Sequence, residues 1–563
     1  MKDPGLTAPT LTIYEDETEA VSSVAALRVL AAQAEDTESP VTIVFEGENP
    51  GWTLTQDTAV NSLAIGTGSI TFPAAPSDGA FTGTTLTVEG DYSSEGGSIT
   101  MNTALGDDES KTDKLVVKGN TSGTTSVTVN NAGGAGGQTV DGITLIEVGG
   151  DSNGTFTLTN TVRGGAYVYS LGKADKNWVL TSLLSPLSEP DPKPDPGSNT
   201  VLPNTNDDPT PDPAPNTNDD PTPDPAPAPT PGLQDHAVRP EAASYATNLY
   251  AANTMFAMKL SDRLGAAAYS EAVKGEGKRA GSFWVRTAGG HTRHEMADGQ
   301  TTTRGNWGLV QVGGDLISWP ASGGQRFHAG LMAGYAHESS KTGSSVVNYQ
   351  SKGKADGYAV GLYGTWMNSD PTGTGPYVDT WVQWQQFKNK VDSSDYEVEE
   401  SYHTKGFTAS VEAGYTFGLK DWTGPSGFDN STRLRAEAQV IRMGVRGGDH
   451  LEQSTGTIVA GTGAGNVRTR LGLTAYHLFE NAARGTAVKP YVTINWLHDT
   501  KSFGSVMNGV KDTITGSRNI GEVKLGVEGK VSKNVNLWGA AGYQQGSHGL
   551  RNLEALLGAK ILF

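Results

Sequence analysis

Two short stretches carry residue types that could do chemistry. Gly150-Asp151-Ser152 has the look of a nucleophile block found in one esterase class. A serine nucleophile needs a base, and an acid to orient that base, within reach. The first histidine is His236, far along the chain in a Pro-rich region. The block therefore reads as a Gly-Asp-Ser-Asn turn between two strands. His291 and His294, with Glu295, sit in GGHTRHEMAD and could form a metal pair. No third ligand stands at a recognised spacing, so the reading there is a solvated loop. No catalytic residue, metal ligand or cofactor site is assigned.

The elements around these stretches are mostly strands. The chain has 563 residues, enough for several domains, with 73 glycines and 8% aromatics. Such a Gly-, Thr- and Asn-rich texture favours strands and turns over helical bundles. A formal net charge of −19 excludes nucleic acid as a partner. Cysteine is absent. That fits either a reducing compartment or a chain that must cross a pore unfolded. No apolar run reaches transmembrane-helix length. The N-terminus, MKDPGLTAPTLTIYEDE, has no signal-peptide core, so an exported form would be truncated, processed or mis-started.

Residues 1–40 are left unassigned, although 17–35 carry the spacing of a short amphipathic helix. From 41 to 184, short apolar runs such as VTIVF, TLTV, KLVV and ITLIEV recur between Gly, Asn and Asp. Short Thr-rich strands at regular spacing suit the rungs of a parallel β-helix. Residues 185–232 form an acidic Pro-rich linker, in which PNTNDDPTPDPA occurs twice, read as a semi-rigid spacer.

Glu241–Leu264 reads as one helix of roughly 24 residues, so ~36 Å long. That length crosses a bilayer core of about 30 Å. Asn248, Asn253, Lys259, Asp262 and Arg263 make it too polar for lipid. It is expected to sit inside a pore, within a segment of 233–280. Over 281–563, twelve strand-like segments follow, near 282–292, 304–316, 325–338, 354–367, 377–389, 404–418, 432–445, 466–479, 488–499, 519–531, 534–545 and 553–563. Several alternate apolar and charged residues, as Val523, Leu525 and Val527 do with Glu522, Lys524 and Glu528. No helices follow to cover the apolar face. A barrel with lipid outside and water inside needs no cover. A soluble β-domain is the weaker reading.

Nine tryptophans after residue 280 suit aromatic girdles. Connections after odd-numbered strands are expected to be the longer, outer ones. Arg433, Arg435, Glu437, Arg468 and Arg470, with Glu412, are placed in the lumen, to hold the helix, steer ions or pair with one another.

RPEAASYATNLYAANTMFAMKLSDRLG, the strand set and the terminal Phe563 resemble the translocator of type Va autotransporters. LGDDESKTDKLVVKGNTSGTTSVTVNN and the residues after it resemble the passenger end of pertactin-like and diffuse-adherence adhesins. The resemblance implies an all-β chain: a short right-handed parallel β-helix passenger end with an autochaperone junction, a linker, a central pore helix and a 12-stranded transmembrane β-barrel. It further implies outer-membrane lipid, the barrel assembly machinery and periplasmic chaperones as partners, and a host-cell or bacterial surface ligand. The assembly signal would be the last strand, with Leu557, Ile561 and Phe563. The implied function is self-display at the cell surface for adhesion. The alternatives are an anchor for an enzymatic passenger whose catalytic part lies outside this chain, and a porin.

Overall fold

In a computed structural model, residues 27–30, 42–45, 50–77, 80–184, 232–264 and 281–563 are described, apart from 321–324, 369–372, 396–398, 425–427, 482–483 and 533. The twin Pro-rich repeats lie outside the described residues.

Period-2 alternation organises the second half of the chain. Twelve strands are antiparallel to their neighbours: β1 Ser282–Glu295, β2 Thr301–Pro320, β3 Gln325–Ser344, β4 Gln350–Asn368, β5 Gly375–Ser393, β6 Glu400–Thr423, β7 Asp429–Met443, β8 Asn466–Asn481, β9 Thr486–Asp499, β10 Asn519–Lys530, β11 Val535–Gly546 and β12 Arg551–Leu562. β1 pairs with β12 from Ser282↔Leu562 to Arg293↔Arg551, which closes the barrel. The apolar face points outward: Val523, Leu525 and Val527 are 48%, 60% and 49% exposed. Glu522, Lys524 and Glu528, on the alternate positions, are buried inside. Exposure is the reverse of a soluble core, because lipid is the solvent of the outer face.

Two expectations about the barrel need correction. The strands run on past the membrane, so 296–300 and 345–349 are short turns rather than long loops. Long connections remain at 444–465 and 500–518. Their strands His450–Leu451, Ile458–Thr462, Gly504–Met507 and Val510–Thr513 form a small sheet over the mouth. The tryptophans also divide. Trp319, Trp422 and Trp496 face outward, but Trp284, Trp381 and Trp538 are buried in the lumen. Position parity, not residue type, chooses the face.

The N-terminal region is a parallel solenoid. One ladder runs through Thr42–Phe45, Ser62–Ala64, Tyr92–Thr103, Thr121–Asn131 and Thr155–Leu158. The other runs through Thr58–Val60, Thr85–Val88, Lys114–Val117 and Ile143–Val148. Asp91 accepts from the Asn120 amide 29 residues on, and Asn120 accepts from the Asp151 amide 31 residues further. Leu63, Ile99, Leu115, Val127 and Ile146 stack between the ladders, essentially unexposed. Antiparallel strands Val162–Gly164, Tyr167–Ala174 and Asn177–Thr181 cap the stack. Within 17–35, the described residues Leu27–Leu30 are a strand antiparallel to Thr42–Phe45, not a helix. An unpaired solenoid edge next to them outweighs a weak helical pattern.

The chain returns from the linker beside the point where it left. Leu184 N–H donates to Asp235 O at 2.9 Å, and Ala237 N–H to Ser182 O at 2.7 Å. The linker composition sets stiffness, but this pairing brings its ends together.

The helix-plugged lumen as candidate functional site

The chain enters the barrel along an extended strap, 236–239, which bonds to the solenoid cap through Val168 N–H to Ala237 O and Arg239 N–H to Ala166 O. Helix α1, Glu241–Thr254, then descends through the lumen, and α2, Leu260–Leu264, ends the plug. The expected single helix is thus broken. The segment between the helices exposes backbone carbonyls, and the wall supplies their partners. Gln383 donates to Phe256 O at 3.2 Å. Trp381 and Gln439 donate to Met258 O at 3.2 and 2.8 Å. Irregular backbone at membrane depth is tolerated only where protein satisfies it in this way.

Small residues let α1 pass close to the wall. Ser244 meets Ser351 at 2.9 Å and Thr342 at 3.2 Å. Asn248 donates to Lys390 O at 3.0 Å and Tyr402 Oη at 3.3 Å. Asn253 clasps the peptide of Val445, donating to its O at 3.0 Å and accepting from its N–H at 3.1 Å. Lower down, Lys259 pairs with Glu437 at 3.0 Å. Arg263 pairs with Asp379 and lies 3.7 Å above the Tyr363 ring. Asp262 bonds back to the Lys259 amide at 3.1 Å, capping α2. A full turn of buried charge is met by wall charge of opposite sign, which offsets desolvation.

The lumen charges are arranged in clusters. Arg470 lies 3.4 Å from Glu412, and Arg435 3.0 Å from Glu437. Arg468 grips Asp499 with two bonds of 2.7 and 2.8 Å. Arg433 pairs instead with Asp421 near the inner rim, at 2.5 Å. A cavity of about 120 Å³ remains beside the helix, lined in part by Asp262, Arg286, Arg470, Lys524 and Glu554.

A second cluster has no signal in the sequence. Arg239 binds Glu452 at 3.0 Å and lies 3.4 Å from Glu241. Arg163, from the solenoid cap, lies 3.7 Å from Glu241 and 2.5 Å from Asp395. Tyr349 and Tyr245 donate to Glu241 and Glu452 at 3.2 and 3.0 Å. The hydrophobic core of the solenoid continues into Ala242, Tyr245, Val391, Val459 and Met507 at the barrel mouth. Five segments far apart in sequence meet in this ion and hydrogen-bond cluster, so residue spacing could not reveal it.

The stretches with catalytic spelling do not form sites. Gly150–Gly154 also spells G-x-S-x-G, but Ser152 bridges in parallel to Thr121 of the neighbouring rung. A nucleophile elbow needs a strand-to-helix turn. His236 is hydrogen-bonded to Ser182 at 2.9 Å, with both unexposed and packed under the cap. His291 faces outward and bonds Asn306, whereas His294 faces inward and bonds Thr247 of α1. Three residues apart on a strand, they lie on opposite faces. The described residues hold no group of three His, Cys, Asp or Glu that could bind a metal. Phe563 is 76% exposed at the inner end, its N–H donating to Gly281 O at 3.1 Å; Ile561 and Leu557 face outward on the same strand.

A closed twelve-stranded barrel, filled by a helix that enters from a surface solenoid, defines an outer-membrane transport unit with its own cargo. The family model described as Autotransporter beta-domain matches residues 283–542, and that described as Autochaperone Domain Type 1 matches 58–171. Uncharacterized protein YdeU of Escherichia coli K12 is 42% identical over 86% of this chain and 99% of its own length. Autotransporter adhesin AIDA-I of Escherichia coli is 35% identical over 85% of this chain and 34% of its own length. The crystal structure of the AIDA-I transport unit aligns with a TM-score of 0.51 at 34% identity, covering 58% of this chain and 99% of that one. The chain belongs to the autotransporter family: its barrel lies in the outer membrane and its passenger at the cell surface. It spans about a third of AIDA-I and, at 33%, of YuaQ from Escherichia coli K12.

Proposed function

We propose that this chain carries its own solenoid through the outer membrane and displays it there for adhesion, without catalysis. The observation that carries this reading is the continuous packing of solenoid, strap and pore helix at the outer mouth. A passenger docked on its own barrel suits a retained surface protein. AIDA-I, by its name an adhesin, supports the same reading. A twelve-strand bore that holds one helix admits an extended segment, not a folded domain. The passenger therefore crosses unfolded and folds outside, with 41–184 as autochaperone junction and template, 185–232 as linker, 233–280 as pore segment and 281–563 as translocator.

In this reading Asn248, Asn253, Lys259, Asp262 and Arg263 hold the plug against the wall. Glu437, Asp379 and Lys524 are the wall partners of Lys259, Arg263 and Asp262, and Arg470 pairs with Glu412 beside them. Leu557, Ile561 and the exposed Phe563 present the strand read by the barrel assembly machinery, after periplasmic chaperones have escorted the chain. The ligand is a molecule of a host-cell or bacterial surface.

The test is display in a non-adherent bacterium. Cells carrying the full chain should bind epithelial cells or each other several-fold more than cells carrying the chain without residues 41–184. Equal binding with an inserted barrel in both would refute adhesion by this passenger.

A further inference from the structure

The outward face of the barrel carries a row of five cations above its apolar belt. Five successive strands place Arg551, Arg293, Arg304, Lys341 and Lys352 directly opposite one another, in register. All five side chains point away from the lumen. Like charges directly across a ladder destabilise it. Arg293 has Glu295 at 3.2 Å, and Lys352 is opposite Asp392. Arg304, Lys341 and Lys352 have no ion pair among the described residues.

A second tier lies nearer the membrane. Lys354, Lys388 and Lys405 face outward, two to four residues beyond Tyr358, Trp384 and Phe407. At ~3.4 Å per residue, that is about 7–14 Å along the strand beyond the last aromatic ring. Lys388 is opposite Asp356 and His403, and Asp356 is already bonded to His337 at 2.7 Å. The other end of the same strands presents Leu316, Phe327, Trp366 and Phe417 instead. At that inner end Lys420 stands over the Trp422 ring, whereas both tiers of cations lie at the end bearing the solenoid, in a chain of net charge −19.

We propose that this face binds the phosphorylated headgroups of the outer-leaflet glycolipid. A lipid whose headgroup carries two phosphates on one sugar pair supplies clustered anions above the apolar belt. Arg presents planar paired donors to phosphate, and Lys a point charge. Acyl chains of the same molecule would lie against Tyr335, Tyr358 and Val360 below, all exposed outward. The ligand thus spans both the charged tier and the apolar one, which a free phosphate does not.

The experiment uses the full chain in phosphatidylcholine vesicles, with a bis-phosphorylated glucosamine-disaccharide lipid, with its dephosphorylated form, or with inorganic phosphate added. The readout is the temperature at which the barrel loses its compact migration on unboiled gels. The phosphorylated lipid should raise that temperature, while the dephosphorylated form and inorganic phosphate leave it unchanged. In the R304Q/K341Q/K352Q variant the rise should shrink at least several-fold. An equal rise with the dephosphorylated lipid, or a full rise in the variant, would overturn the proposal. The wild-type comparison decides the matter even where the variant fails to insert.

Discussion

Arg163 of the solenoid cap lies 3.7 Å from Glu241, the first residue of the pore helix, with side chains only 1% and 3% exposed. This contact joins what is displayed to what is anchored. Removing Arg163 takes the solenoid's charge out of the cluster, while Glu241 keeps Arg239 and the Tyr349 hydroxyl, so the cost stays below the about 3–5 kcal/mol of a stranded buried charge. Arg163→Met should therefore undock the cap without touching the barrel wall. The expected result is an inserted, heat-modifiable barrel with a trypsin-sensitive passenger. Full trypsin resistance in the variant would show that the shared apolar core suffices alone.

The linker makes a separate prediction. Leu184 and Asp235 are hydrogen-bonded, so the chain between them leaves and returns at one place. A protease cut within 185–231 should leave the passenger on the cell, held by the strap, the ion cluster and the core beneath. Mild heating or denaturant should then release it while the barrel stays compact. A passenger that appears in the medium on cutting alone would contradict this. Deleting one PNTNDDPTPDPA repeat should leave passenger protection unchanged.

His236 makes the strap sensitive to acid. Burial disfavours its imidazolium and lowers its pKa from the usual range, while Asp235 and Asp108 oppose this more weakly. The fold therefore holds the neutral ring. Its contribution is complete above the unfolded value of about 6.5 and is lost as pH falls through that window toward the folded value. The slope is at most ~1.4 kcal/mol per pH unit for one group. Hydrogen exchange at Ala237 and Arg239, corrected for intrinsic rate, should quicken at about pH 5 relative to about pH 7.5. His236→Asn should flatten the difference; an equally steep response in that variant would place the titration elsewhere.

The sequence showed the barrel clearly, because alternation such as Arg433-Leu434-Arg435-Ala436 is a local, period-2 signal. It placed all twelve strands but not their ends. Above the apolar belt, Ser340 to Gly343 and Gln350 to Gly353 stay paired without the alternation that marks contact with acyl chains. The solenoid repeat was also present, spelled loosely as Val88-Glu89-Gly90-Asp91, Val117-Lys118-Gly119-Asn120 and Val148-Gly149-Gly150-Asp151. Each Gly lies where the rung below presses on it; a Cβ on Gly119 would stand 2.5 Å from Gly90 O. Degenerate side chains hid that repeat, while the backbone kept it. The break between α1 and α2 had no local mark. Its cause is wall donors, Gln383, Trp381 and Gln439, which lie on strands far along the chain.

The last prediction concerns cleavage inside the pore. An asparagine can cut its chain when its side-chain nitrogen attacks its own carbonyl carbon, closes a five-membered ring and expels the amine of the next residue. The nitrogen must be free to turn inward. In α1, the Asn253 nitrogen donates to Leu249 O at 2.9 Å and Val445 O at 3.0 Å, and its oxygen accepts from Val445 N–H at 3.1 Å. The Asn248 nitrogen is held by Lys390 O and Tyr402. Turning either would leave buried partners unsatisfied, at about 1–3 kcal/mol each. Neither asparagine is followed by another, since Leu249 and Thr254 come next. The helix should therefore stay intact, and the outer-membrane form should contain Glu241–Leu264 in one piece with the strap. Mass spectrometry of the protein from a host without outer-membrane proteases checks this. A barrel fragment beginning within 241–264 would sink the idea, and its first residue would show which asparagine had turned.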